Sequence, residues 1–343
     1  MSRHLSSFID FLQWRGLRRG QNRRMKKVLV LGGTGFVGTQ LCPKLLSQGW
    51  HVTVPTRQRA HAQHLQPLSG LTLLELDVHD EAALTQAVAG HDAVVNLVAI
   101  LHGDQAAFDK VHVALPQKLA RACRAAGVKR VVHISALGAD AQSPSSAPSM
   151  YLRSKGQGEA VWLQAAGVGP QAAFDLTIFR PSVMFGARDK FLNVFARLQK
   201  VLPFMPLACA GARFQPVWVD DVASAVVKSL MPGDAGVMAP AASPRTIEAC
   251  GPEVFTLKQL VQLAAQLSGV CGGRGRPVIA LPRWLGHVQA ALMALAPGEP
   301  VMSRDNLDSM QIDNVASGTL PGLQSLGITP SALRPIAQDY LNK

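Results

Sequence analysis

Apolar positions along the chain fall into two alternating kinds of block. Short, dense apolar runs come first, at residues 28–31, 50–54, 71–76, 92–98, 128–135 and 176–179. Between them lie longer stretches, at 39–48, 80–89, 104–126 and 151–165, whose apolar residues recur at helical spacing. A strand that is apolar at every position has no solvent face, so the runs predict a buried parallel sheet and the intervening stretches its crossover helices. Pro116 cannot donate within a regular helix and predicts a kink or a restart in 104–126. The Pro/Ser/Ala-rich residues 140–149 read as loop. The expected class is α/β, a doubly wound parallel sheet with helices on both faces.

The later chain is less regular. Helices are expected at 191–199, 221–230 and, after Thr256, at 257–267, and a short strand at Val237-Met238. The apolar stretch 285–295, started by Pro282 and ended by Pro297 and Gly298, is too short to span a bilayer and reads as a helix buried in the lobe or against a partner. Residues 318–330 read as loop around one apolar turn. This divides the chain into a basic extension (1–25), a main nucleotide-binding region (26–180) and a smaller C-terminal α/β lobe (181–343) with segments returning to the main sheet.

The chemistry begins where the first strand ends. Gly32-Gly33-Thr34-Gly35-Phe36-Val37-Gly38 lies between that strand and a helix, the order a dinucleotide site requires. Gly32 makes the sharp exit, Gly35 admits a pyrophosphate against backbone, and Gly38 lets the helix pack closely, its N-terminus facing the phosphates. The competing reading is a tight turn that holds no ligand. A second constellation is Ser135, Tyr151 and Lys155. Tyrosine and lysine four apart share a helix face, where lysine can hold a nicotinamide ribose and tyrosine can move the proton that accompanies hydride transfer. After the second strand stand Arg57 and Arg59, with no acidic ribose reader; guanidinium pairs with an extra phosphate, so NADP(H) is the expected cofactor. The alternative is that both arginines are solvated loop charges.

Composition narrows the classes. Of 343 residues, 48% are hydrophobic and 16% charged, which predicts an ordered chain. The net charge of +12 resembles a nucleic-acid footprint, but residues 1–27 hold eight cations against Asp10 alone and so supply +7 of it. No nucleic-acid partner is expected. The five cysteines, Cys42, Cys123, Cys209, Cys250 and Cys271, lack metal or redox spacing, and His102, His112 and His133 form no metal signature, so no metal is expected. Asp220 and Asp221 read as caps of the helix they begin, and Met184 and Phe185 as pocket wall. In residues 1–24, Leu5, Phe8, Ile9 and Leu12 recur at helical spacing ahead of Arg15, Arg18, Arg19, Arg23 and Arg24. Two readings stand: a helix docking on an anionic membrane surface, or an extension before a domain that starts near Met25. Without a secretory signal or a spanning run, the expected location is cytoplasmic, peripheral on the inner face of the membrane if the extension docks.

Together, the glycine turn, Asp77-Val78, Tyr151-Leu152-Arg153-Ser154-Lys155, residues 180–186 (RPSVMFG) and 215–223 (QPVWVDDVA) resemble the extended and atypical short-chain dehydrogenase/reductase superfamily, over roughly residues 26–340. Ser154-Lys155-Gly156-Gln157-Gly158-Glu159 and the stretch from Ser303 to Asn314 resemble its branch of respiratory complex I accessory subunits. The resemblance implies a Rossmann-type sheet. It further implies that Asp77 and Val78 meet the adenine, that Asn96, Leu97, Val98 and Ala99 line the cofactor, that Tyr151 and Lys155 are the catalytic pair, and that Pro181, Ser182 and Val183 lie beside the nicotinamide. One departure is Leu137, which stands where many members carry a substrate-facing serine. The resemblance therefore implies an NADP(H)-binding, reductase-like scaffold with complex I or another protein as partner. The alternatives are an active oxidoreductase on a small lipidic or quinone-like substrate and, further off, a sugar-nucleotide epimerase.

Overall fold

The computed structural model describes residues 25–168, 172–231, 243–293 and 302–342. The basic extension 1–24 and the strand expected at Val237-Met238 lie outside the described residues. Seven parallel strands form the main sheet: β1 (Lys27–Leu31), β2 (His51–Thr56), β3 (Leu71–Glu75), β4 (Ala93–Asn96), β5 (Arg130–Ile134), β6 (Asp175–Pro181) and β7 (Arg245–Ala249). Their order, β7-β6-β5-β4-β1-β2-β3, reverses between β1 and β4. The C-terminal ends of those two strands therefore open into a crevice, the usual ligand position in such sheets.

Alternation along β1 builds two cores at once. Val28 and Val30 face the layer of α1 (Phe36–Ser47) and of a later helix at Val219–Leu230, while Leu29 and Leu31 face the other layer. That second layer holds α2 (Glu81–Val88), α3 (Leu115–Ala125) and α4 (Met150–Ala166), with Trp162 fully buried in it. The sequence spacing of α4 starts it at Tyr151; Ser149 caps it one residue earlier, its hydroxyl accepting from Leu152 N–H at 3.1 Å.

The expected disturbance at Pro116 takes a definite form. A helical turn at Gln105–Asp109 passes into a π-helical turn at Lys110–Ala114, where Leu115 N–H donates to the Lys110 carbonyl five residues back, and then into α3. Pro116 has no N–H to offer the His112 carbonyl, and this carbonyl lies against α4, 2.2 Å from where a Cβ on Gly158 would sit. Gly158 is what lets the two helices touch there.

The remaining chain packs α5 (Leu192–Val201), α7 (Leu257–Leu267) and α10 (Leu333–Leu341) around a third core, after α6 (Val219–Leu230) has covered the main sheet. Between α7 and α10 come α8 (Arg283–Met293) and α9 (Arg304–Ser309). Neither Asp220 nor Asp221 caps α6, because the helix starts at Val219, with Trp218 at its cap position, and puts both in its first turn. Asp221 instead accepts from Ser331 N–H at 2.7 Å, and Asp220 pairs with Lys44 of α1 at 2.9 Å. All five cysteines are free thiols. Among the described residues no helix is long and apolar enough to cross a membrane, and no cluster of ligands could hold a metal ion.

Candidate functional site

The crevice floor is the glycine turn. Gly32 leaves β1 at φ +78°, open to glycine without strain, and a side chain there would strike Leu97 at about 3.1 Å. On Gly38 a Cβ would lie 2.3 Å from the Gly33 carbonyl, so α1 sits as close to the strand exit as backbone allows. Gly35 caps α1 without a side chain, and no acid occupies the first turn, which leaves that helix terminus electropositive toward the crevice. Thr34 is half-buried, Gly35 exposed, and Val37 packs into the core. A Cβ on Gly186 would meet the Phe36 ring at 3.4 Å, so the turn touches the second lobe there.

On the β2 side, Thr56 is buried and donates to the Gln58 carbonyl, while Arg57 and Arg59 are exposed. Arg59 lies 3.5 Å from Glu75. Asp77 is exposed with its carboxylate accepting from His79 N–H, beside half-buried Val78. Asn96 is fully buried, its amide within 3.2 Å of His133 Nδ1 and its carbonyl accepting from Val98 N–H. Its side chain thus shapes the exit of β4, and Leu97, Val98 and Ala99 carry the chain past Gly32 into the open.

The opposite wall comes from α4. Lys155 is 1% exposed and donates to the Ile134 carbonyl at 2.7 Å, at the end of β5. Burial pulls its ammonium down to about 8, against an opposing pull from Glu159 one turn further on. Glu159 is held in turn by a bidentate pair with Arg180, at 2.9 and 2.5 Å. Next to Ile134, Ser135 is buried and its hydroxyl has no hydrogen-bond partner among the described residues. Burial, and after it the charge of Asp305, push the Tyr151 phenol up to about 12. Leu137 is buried with its N–H on the Pro181 carbonyl.

Two features of the wall have roles that sequence spacing does not show. His112 accepts from Ile100 N–H at Nε2 (3.2 Å), which leaves Nδ1 to donate to Ser154 Oγ (2.8 Å), whose hydroxyl donates to the Tyr151 carbonyl. Burial lowers this imidazole to about 2, so it is neutral and its tautomer is set by those bonds. It ties the loop after β4 to the helix of Tyr151. The second feature is the segment 303–314. Asn314 accepts from the Ser182 hydroxyl (2.6 Å) and from Val183 N–H (2.9 Å), and Pro181 is buried beside them. Asp305 reaches the start of α4. The structure therefore brings Ser135, Tyr151, Lys155 and residues 181–183 to one wall and the glycine turn to the floor, with Arg57, Arg59, Asp77 and Val78 on the β2 and β3 rim.

The profile of the NAD dependent epimerase/dehydratase family matches residues 28–239. The mitochondrial NADH dehydrogenase (ubiquinone) 1 alpha subcomplex subunit 9 of Mus musculus is 32% identical over 317 residues, covering 89% of this chain and 76% of the mouse protein. Its Arabidopsis thaliana counterpart is 28% identical over 328 residues, 91% of this chain and 76% of the plant protein. Among solved structures, the NADPH-dependent quinone oxidoreductase of Escherichia coli, complexed with NADPH, has a TM-score of 0.69 at 19% identity, over 92% of this chain and 100% of that one. WbmG of Bordetella bronchiseptica, in complex with NAD, has a TM-score of 0.63 at 18% identity, over 94% of each chain. At such identities the likeness is one of fold.

Two expectations are corrected. NADP(H) does not stand as the cofactor: WbmG, MoeE5 and the DesIV dehydratase of Streptomyces venezuelae were solved with NAD, against NADPH in the quinone oxidoreductase. The physical reason lies at the rim, where Glu75 faces Arg59, so the two guanidinium groups do not form an unopposed phosphate reader. The cytoplasmic location does not stand either, since the subunit 9 relatives from mouse, rat, Arabidopsis and Dictyostelium, and the 40 kDa subunit of Neurospora crassa, are named as mitochondrial proteins.

Proposed function

The chain belongs to the NAD dependent epimerase/dehydratase family and is homologous to the complex I subunit 9 proteins; from that premise we propose that it is a dinucleotide-binding accessory scaffold, whose nucleotide completes the fold and whose surface serves a protein partner of the complex I kind. The observation that carries this reading is the contrast between the floor and the wall. The floor fits a dinucleotide: the glycine cradle would be filled by any Cβ and the terminus of α1 is uncapped by side chains, while at the edge of the wall the buried Ser135 hydroxyl lacks, among the described residues, a partner that a bound ribose or carboxamide would supply. The wall is closed: Leu137 is buried where a donor to substrate would stand, and Asn314 takes the Ser182 hydroxyl and Val183 N–H.

A nicotinamide held here supplies hydride transfer chemistry. Toward it, Lys155 would hold ribose hydroxyls with its ammonium, and Tyr151 would hold or release a proton at its phenol oxygen. A second reading, an oxidoreductase acting on a small lipidic or quinone-like carbonyl, is favoured by the completeness of Ser135, Tyr151 and Lys155.

Calorimetric titration of the full chain with NAD and NADH, alongside thermal unfolding and a turnover assay over carbonyl and quinone substrates, separates the two. The scaffold reading expects binding, a rise in Tm of a few degrees near 100-fold excess over Kd, where linkage adds about 2.7 kcal/mol, and no turnover. Turnover that vanishes in Tyr151→Phe while binding persists would establish the oxidoreductase. Absence of binding to either dinucleotide would end both readings.

A further inference from the structure

Segment 303–314 packs Leu307 into a core and, besides that, makes polar contacts with the start of α4 and with residues 182–183. Both oxygens of the Asp305 carboxylate accept from the first turn of α4, from Met150 N–H at 2.7 Å and Tyr151 N–H at 3.1 Å. The start of α4 already has a capping residue, Ser149, whose hydroxyl serves Leu152 N–H. Asp305 therefore satisfies the two N–H groups that this hydroxyl does not reach, from a residue 155 positions away. Its own helix is fixed by a capping box between Ser303 and Asn306, and Ser309 Oγ lies 2.8 Å from Ser149 Oγ, giving a second tie between the same two turns. Further along, Ile312 covers Gly138, where a Cβ would come within 2.9 Å of its Cδ1. Asn314 then anchors the far end on Ser182 and Val183.

We propose that Asp305 is a positioning residue for Tyr151, holding the first turn of α4 from the C-terminal segment and placing a buried negative charge against the backbone N–H of Tyr151 itself. This rests on the reading of Tyr151 as the residue that faces the nicotinamide. A buried anion bonded to this turn acts in two ways. It completes the helix terminus, which fixes the backbone from which Tyr151 projects, and it opposes loss of the phenolic proton by like-charge repulsion. The other ionisable groups near Tyr151 do not compensate it. His112, whose ring centroid lies 5.6 Å away, is neutral, and Lys155 points its ammonium at the Ile134 carbonyl. The phenol stands accordingly at about 12, with Asp305 the cause after burial. A tyrosine so held is a proton keeper: its hydroxyl stays protonated well above neutrality.

The test uses the full chain without nucleotide. Tyrosinate absorbance is recorded within milliseconds of a jump to alkaline pH, before unfolding, and the trace of Tyr151→Phe is subtracted; with only two tyrosines in the chain, the difference reports Tyr151. Asp305→Asn keeps the volume and one acceptor but removes the charge. The expected result is a midpoint lower by on the order of one pH unit, with Asp305→Glu staying near the parent. A folded Asp305→Asn variant with an unmoved midpoint overturns the proposal, as does a Glu variant shifted as far as the Asn variant, which would reduce Asp305 to packing. Should Asp305→Asn fail to fold, Asp305→Glu decides through the exchange protection of the Met150 and Tyr151 amides, retained if the carboxylate holds the turn and lost if it does not. Because no nucleotide enters these measurements, their failure leaves the dinucleotide reading standing, and failure of nucleotide binding leaves the titration intact.

Discussion

Lys155 is the side chain whose state the site most depends on. Burial lowers its ammonium to about 8 from an ordinary value of 10.5. If the ammonium holds ribose hydroxyls, dinucleotide affinity is full below about pH 8 and declines as pH rises through that value, and Lys155→Met binds weakly with a flat profile. Titration of NAD across neutral and mildly alkaline pH checks both; undiminished affinity at the alkaline end would count against the contact. Stability runs the other way, since the folded protein releases this proton before the unfolded chain does, so unfolding free energy rises between about pH 8 and 10.5 on this group's account. Glu159 tempers the effect while it holds Arg180. Replacing it by Gln leaves a mostly buried guanidinium unpaired, which costs about 3–5 kcal/mol in urea unfolding and lowers the Lys155 midpoint further.

Between elements, the site depends on how closely α4 approaches its neighbour. The π-helical turn at Lys110–Ala114 sets His112 against Ser154 on one side and presents the His112 carbonyl to Gly158 on the other. An alanine at 158 would place a methyl group 2.2 Å from that oxygen, and the two helices would have to separate. Gly158→Ala is therefore expected to destabilise by about 1–3 kcal/mol or more and, by moving α4, to weaken dinucleotide binding. Gln157→Ala, on the exposed side of the same turn, should change neither. A stable Gly158→Ala protein with normal affinity would show that the interface is soft.

At the scale of the whole molecule, the late chain completes the main sheet. β7, from the late chain, pairs with β6 over five residues from Arg245 to Ala249, and α6 supplies Val222, Val226 and Leu230 to the core against β1. A fragment of residues 26–180 would expose the β6 edge and one face of the sheet. We expect it to lack a cooperative urea transition and to aggregate, whereas the full chain unfolds in one step; a fragment with dispersed amide resonances and a sharp transition would refute this.

The sequence by itself determined the parallel sheet, its crossover helices and the glycine turn. Each of these is written in local periodicity: unbroken apolar runs for strands buried on both faces, helical spacing between them, and glycine where backbone must approach backbone. It also brought Tyr151 and Lys155 onto one helix face, because four residues is about one turn. It did not contain the roles of His112, Asp305 and Asn314, whose partners lie 12, 42 or more than 130 residues away and leave no periodic trace. Nor did it show that Arg59 faces Glu75, since Arg59 lies beyond the end of β2, and the turn that follows decides which strand end its side chain meets. Asp221 looked like a cap and became an anchor for Ser331 because the helix start shifted by two residues, a matter decided by packing of Val219 into the core. Local spacing fixes what an element is; which charges meet, and which polar groups are left to a ligand, is settled only when distant elements close on one another and exclude water.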